Sequence, residues 1–259
     1  MMIKWISIFS LGCWLLVSTA QAQVSVALSD NLLILNSQTR SSMFELVNLG
    51  SEPTEFRLTT DKLLLGTKED ASKIIRWAPS RVLVPANRTI PVRVSARPTP
   101  ELAAGEYIFR VGVTAEAQPV PRRPRPGDAA EAPPEGIAVS IPLVPTLPVT
   151  IYMRHQIEAP MIDVEPLVLT PDDKEMMGYF PVTKRIPAYS FVGQVLVLEK
   201  TTGQRINSGR LHLSQGGTGR SRVGMPRGQT PLDDSAEYCL HVWDHFPGKG
   251  EPTLVVCGS

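Results

Sequence analysis

Long apolar runs, helical periodicity, a surplus of either charge and a catalytic motif are all missing from this chain. Its 259 residues carry 26 basic and 25 acidic side chains, so neither a nucleic acid nor an anionic membrane surface is an expected partner. Beyond residue 17 no stretch reaches the roughly eighteen uninterrupted apolar residues of a membrane-spanning helix. Histidine occurs only 4 times, as His155, His212, His241 and His245. "HVWDH" (241–245) resembles a metal pair, but on a strand its two histidines stand about 13 Å apart, too far to share an ion. "SQGGTGRS" (214–221) has the glycines of a phosphate loop without the lysine, and reads as a flexible hairpin. No serine stands in a nucleophile elbow. The chain is expected to be non-enzymatic, with no metal and no cofactor.

Cysteine is scarce as well: Cys13, Cys239 and Cys257. The first lies in a segment built like a secretory signal, with Lys4, an apolar stretch over residues 5–17 and a small-x-small site at Ala20-Gln21-Ala22. A lipid-attachment box at Cys13 would want leucine where Ser10 stands, so residues 1–22 are expected to be cleaved and the rest to be secreted. In an oxidising compartment Cys239 and Cys257 are most simply a disulfide, the alternative being two separate buried thiols.

Proline, by contrast, is abundant at 24 residues. It punctuates short alternating runs such as "MFELVN" (43–48), "TIPVRVS" (89–95), "EYIFRVGV" (106–113), "GQVLVLE" (193–199) and "EYCLHVWD" (237–244), the pattern of an all-β protein. In the third run Tyr107, Phe109, Val111 and Val113 share a face and Arg110 takes the other. "EKTTG" (199–203) reads as a hairpin turn with Gly203 at positive φ. "LAAGEYIFRV" (102–111) and "LDDSAEYCLHV" (232–242) each set a leucine and a small or acidic turn before Glu-Tyr and a strand. This looks like the tyrosine corner of immunoglobulin-like sandwiches. Its repetition predicts two immunoglobulin-like β-sandwich domains in tandem, 23–154 and 155–259, with Cys239 and Cys257 on the last two strands of the second. Between strands of the first lies "AQPVPRRPRPGDAAEAPPEG" (117–136). It is expected to be a mobile loop; a polyproline recognition tract is the other reading.

"GIAVSIPLVPTLPVTIYMRH" (136–155) is apolar at every odd position from Ile137 to Met153, yet Pro142, Pro145 and Pro148 interrupt it. A proline cannot donate to a sheet ladder, so the strand is expected at an edge, where exposed apolar side chains invite another chain. Leu147, Val149, Ile151 and Met153 are expected to face the core. Val139, Ile141 and Leu143 are expected to be offered to a partner by β-augmentation, with Leu147, at the border, counted among the partner-binding residues.

"FELVNLGSEP" (44–53), "WAPSRVLVPANRTIPVRV" (77–94), "GEYIFRVGV" (105–113) and "IAVSIPLVPTLPVTIYMR" (137–154), in that order and spacing, resemble the first domain of periplasmic pilus-assembly chaperones of the chaperone–usher pathway. The resemblance is loose over 155–259. It implies a periplasmic, non-enzymatic protein of two sandwiches that caps pilus subunits by lending them Val139, Ile141 and Leu143. An outer-membrane usher is the implied second partner. The rival reading is a structural pilus or surface component with two sandwich domains. Family members hold the subunit's terminal carboxylate with an arginine late in the first strand and a lysine late in the lending strand. Here Asp30 or a neighbour and Thr150 fall at those places, so the carboxylate anchor is expected to be another group, such as Arg40 or Arg154, or to be absent.

Overall fold

The computed structural model describes residues 26–61, 70–117, 146–172, 175–225 and 232–258. The segment 1–22, almost all of 117–136, and Val139, Ile141 and Leu143 lie outside the described residues. The regular elements that are described are strands, as the all-β pattern predicts. Nine of them make the first sandwich: β1 (Val26–Leu28), β2 (Leu32–Leu35), β3 (Ser41–Asn48), β4 (Thr54–Thr60), β5 (Ile75–Ala78), β6 (Arg81–Val84), β7 (Thr89–Ala96), β8 (Gly105–Ala117) and β9 (Thr146–His155). One layer runs β1-β3-β7-β5 and the other β2-β9-β8-β4-β6.

The period-two patterns place the core. Phe44 and Leu46 of β3, Phe109, Val111 and Val113 of β8, and Val149, Ile151 and Met153 of β9 meet in one buried cluster. Each such side chain contributes roughly 1.5–3 kcal/mol by leaving water. Asn48 is buried too, because its Nδ2 donates to the carbonyls of Glu52 and Val84 at 2.8 and 3.0 Å and its Oδ1 accepts from the Gly50 N–H. The first strand, late in which Asp30 is expected, is divided in two at that residue. Asp30 Oδ1 accepts the Leu32 N–H at 2.9 Å, closing a local turn of the kind aspartate favours. The chain then crosses from β1, antiparallel to β3, to β2, parallel to β9.

The second sandwich has β10 (Ile162–Val164), β11 (Val168–Asp172), β12 (Glu175–Lys184), β13 (Phe191–Glu199), β14 (Arg205–Leu213), β15 (Arg220–Gly224), β16 (Tyr238–Trp243) and β17 (Leu254–Cys257). β12 is flanked by β10 and β11 on one side and β15 on the other, facing the layer β14-β13-β16-β17. Both tyrosine corners are present. Tyr107 Oη donates to the Ala103 carbonyl at 2.8 Å, and Tyr238 Oη accepts the Asp233 N–H at 2.8 Å. Gly203 has φ 69° in the predicted hairpin. The 214–221 stretch, expected to be a flexible hairpin, instead crosses between layers, because β14 pairs with β13 and β15 with β12. Gly216, Gly217 and Gly219 have positive φ, and Lys184 Nζ ties the crossing down by donating to the Ser214 and Gly216 carbonyls.

Cys239 and Cys257 are directly opposed on β16 and β17 and form a disulfide across a sequence separation of 18. A loop of that length restricts the unfolded chain by about 3 kcal/mol. Replacing both cysteines by serine is expected to lower the unfolding free energy by about that amount, measured by denaturant titration under oxidising conditions, with no change under reducing ones.

Candidate functional site

β9 is bonded unequally along its two sides. Toward β8 it is paired over its whole length, from Thr146 opposite Thr114 to His155 opposite Gly105. Toward β2 it is paired only from Thr150 to Met153. Among the described residues, Thr146 to Val149 therefore have a neighbour on one side alone. The Thr150 N–H points to β2, donating to the Asn31 carbonyl at 2.9 Å. By the two-residue period of a strand, the Pro148 nitrogen faces that same side, where no ladder bond is lost. Thr146 thus offers the open edge an N–H and a C=O, and Pro148 offers a C=O. Leu147 is half-buried and packs on the first core beside Val149; Val139, Ile141 and Leu143 fall outside the described residues.

The outward face of the same layer carries Ile108 and Arg110 from β8 with Tyr152 and Thr150 as their direct partners on β9. Arg110 is 28 % exposed at the side chain, its Nη1 lies 3.6 Å from Asp61, and its buried Nε has no hydrogen-bond partner. The carboxylate-anchor candidates lie elsewhere in bonding terms. Arg40 sits in an exposed turn with its Nε on the Ser37 carbonyl at 3.2 Å. Arg154 is turned into the junction between the sandwiches.

That junction is a reciprocal grip on one residue. Glu106, at the start of β8, has a fully buried side chain; its Oε1 accepts the Ser190 N–H at 2.6 Å and its Oε2 accepts the Ser190 hydroxyl at 2.8 Å. Arg154 donates through Nε to Glu106 Oε2 at 3.0 Å and through Nη2 to the Ser190 carbonyl at 3.1 Å. A buried ion pair is tolerated when its remaining donors and acceptors are met, and Ser190 meets them. Behind it, Lys184 Nζ collects the carbonyls of Pro187, Tyr189, Ser214 and Gly216. The crossing segment it holds sends Gln215 to the Glu106 carbonyl at 3.1 Å. Burial depresses the Lys184 pKa, against the pull of Glu106.

Beside this grip, Leu32 and Tyr152 of the first sandwich pack with Val192 of the second. Tyr152 Oη is 3.1 Å from His212 Nε2. Burial first, then the Glu106 carboxylate, push the Tyr152 hydroxyl up to about 12. Burial and Arg210 hold the His212 imidazole below its ordinary value. Arg210 Nη1 bonds Asp30 at 2.9 Å and its guanidinium lies 4.7 Å above the Phe246 ring. Asp30 is thus paired across the junction. Of the other histidines, His241 lies on β16, and His245 beyond it bonds Asp244 and the Lys249 N–H at 2.8 and 3.0 Å.

No family model matches the sequence, and no curated protein does. Solved structures similar to it include the Salmonella enterica SafA pilin in complex with the SafB chaperone, at 14% identity and TM-score 0.44, covering 92% of this chain and 98% of that one. The E. coli chaperone DraB is similar at 9% identity and TM-score 0.44, covering 91% and 98%. The Pseudomonas aeruginosa CupB2 chaperone is similar at 12% identity and TM-score 0.40, covering 83% and 92%. Two of these are chaperones and the other is a chaperone bound to a pilin.

Two measurements test the junction. Arg154→Met leaves the Glu106 carboxylate buried without its cation and is expected to cost about 3–5 kcal/mol in denaturant unfolding, while the double variant with Glu106→Gln costs less than that single change. The Tyr152 proton is held more tightly folded than unfolded. The stability it contributes is therefore complete below pH 10 and is lost as pH rises through about 12. Tyr152→Phe is expected to flatten the alkaline limb of the stability–pH curve, and the ultraviolet titration is expected to lose a phenolate that forms near pH 12.

Proposed function

We propose that this protein is a periplasmic chaperone that caps pilus subunits by lending them the open edge of β9, in concert with an outer-membrane usher. The observation that carries the reading is the one-sided pairing of Thr146–Val149, at the end of β9 that continues into the alternating residues 137–145. An apolar strand with a free side is a pairing site, and Pro148 at that side thins the donors it offers to chance partners. In this reading Val139, Ile141, Leu143 and Leu147 fill alternate positions of a groove in the subunit.

The place where β2 begins limits the guest. A strand laid along Thr146–Val149 must stop at Asn31, because the edge beyond is taken from Thr150 onward. A guest running in the same direction as β9 then ends with its carboxylate beside Thr150. Arg110 stands directly opposite Thr150 on the adjacent strand with an unpartnered Nε. Charge complementarity supports that direction, with Arg110 as the receiving cation ahead of Arg40 and of Arg154, whose bonds go to Glu106 and Ser190.

Co-expression with candidate pilus subunits tests this. Ile141→Asp and Leu143→Asp are each expected to reduce co-purified subunit at least about tenfold, since a charge replaces roughly 1.5–3 kcal/mol of burial. Arg110→Gln is expected to weaken capture by about tenfold, and Arg40→Ala much less. If both aspartate variants retain subunit at wild-type yield, strand lending is wrong.

A further inference from the structure

Among the described residues, β8 alone grips β9 along Thr146–Val149, so the position of the open edge depends on that one pairing. Thr146 and Pro148 turn their backbone groups away from β8, toward the open side, and stand opposite Thr114 and Gly112. They therefore belong to the non-hydrogen-bonded pairs of the ladder, where the two strands come closest and side chains crowd.

At the first of these pairs the crowding makes a bond. Thr114 Oγ1 and Thr146 Oγ1 lie 2.9 Å apart, one hydroxyl donating to the other, and such cross-strand threonine pairs stabilise a sheet. At the second pair the crowding excludes a side chain. Gly112 is buried and is not at positive φ, so its backbone conformation would admit any residue. Its surroundings would not. A Cβ at Gly112 would stand 2.9 Å from Thr146 Cγ2, against 3.6 Å from Thr59 Oγ1 on the other flank. Carbon atoms pack no closer than about 3.5 Å at their optimum. Thr146 could escape by rotating about its Cα–Cβ bond, but its hydroxyl would then leave Thr114. Otherwise its backbone must move.

We propose that Gly112, Thr114 and Thr146 form a clasp that fixes where β9 leaves its sheet. Resting on the reading of β9 as a lending strand, Gly112 and Thr114 are positioning residues for the backbone groups that Thr146 and Pro148 offer to the guest. Gly112 supplies the space, Thr114 supplies the anchor, and Thr146 is held between them.

Two readouts on the full chain test this: hydrogen exchange at the Leu147 amide, which by the two-residue period faces β8, and capture of a co-expressed pilus subunit. Alanine in place of a strand glycine ordinarily stabilises. Gly112→Ala is instead expected to speed Leu147 exchange and to weaken capture, each about fivefold. Thr146→Ser deletes Cγ2 and keeps the hydroxyl; in that background the Gly112→Ala step is expected to change either readout by less than about twofold. If Gly112→Ala fails to fold, Thr114→Val removes the anchoring hydroxyl at nearly constant volume and is expected to shift both readouts about threefold. Leu147 exchange unchanged by Gly112→Ala and by Thr114→Val overturns the clasp. So does a Gly112→Ala loss that persists beside Thr146→Ser, which would put the obstruction elsewhere. Faster exchange with capture at the wild-type level, while Leu143→Asp abolishes capture, overturns the positioning role and leaves strand lending intact. Capture that survives Leu143→Asp overturns strand lending and the positioning role with it, and the exchange rates still decide the clasp.

Discussion

A strand can satisfy its backbone on two sides, and β9 is satisfied on both only from Thr150 to Met153. Where β2 reaches, the strand is an interior member of the layer and its side chains Ile151 and Met153 are sealed in the core. Where β2 is absent, the same strand has a single neighbour among the described residues. The turn at Asp30 decides where the change falls, because it fixes the residue at which the chain leaves β1's layer and begins to cover β9. A one-residue slip of that turn would move the covered stretch and, with it, the length of edge left open.

The position of that edge relative to the second sandwich depends on Ser190. Glu106 and Arg154 sit at the end of the β8–β9 pair remote from the open stretch, and they hold both polar ends of Ser190's backbone as well as its hydroxyl. Bonds to N–H and C=O fix orientation as well as distance. Lys184 pre-forms the loops that present Ser190 and Gln215. The open edge and the junction are thus two ends of one ladder, and a change of angle at the second sandwich would be transmitted along β9.

Much of the scaffold was legible because its period is short-range. Alternation in 43–48, 106–113 and 193–199 marked strands that formed, and the repeated Glu-Tyr corners counted the sandwiches through a hydrogen bond only four or five residues long. The opposed cysteines were legible because few pairings were open to them. The junction was not. Glu106 and Ser190 are 84 residues apart and Arg210 and Asp30 are 180 apart, and a lone Glu, Ser or Lys in a strand carries no local signal of such a contact. The break between β1 and β2 did leave one, Ser-Asp-Asn between apolar runs. Arg110 was recognised as outward-facing, but its register opposite Thr150 emerges only from the pairing of β8 with β9.

The parallel course of β2 and β9 has a mechanical consequence. Tension applied between the start of the first sandwich and the second sandwich pulls β2 by its leading end and β9 by its trailing end, in opposite directions along a shared axis. Their bonds lie across that axis, so the four residue pairs from Leu32–Thr150 to Leu35–Met153 bear load together in shear. β1, by comparison, is held by three antiparallel pairs at the margin of the other layer and would peel first.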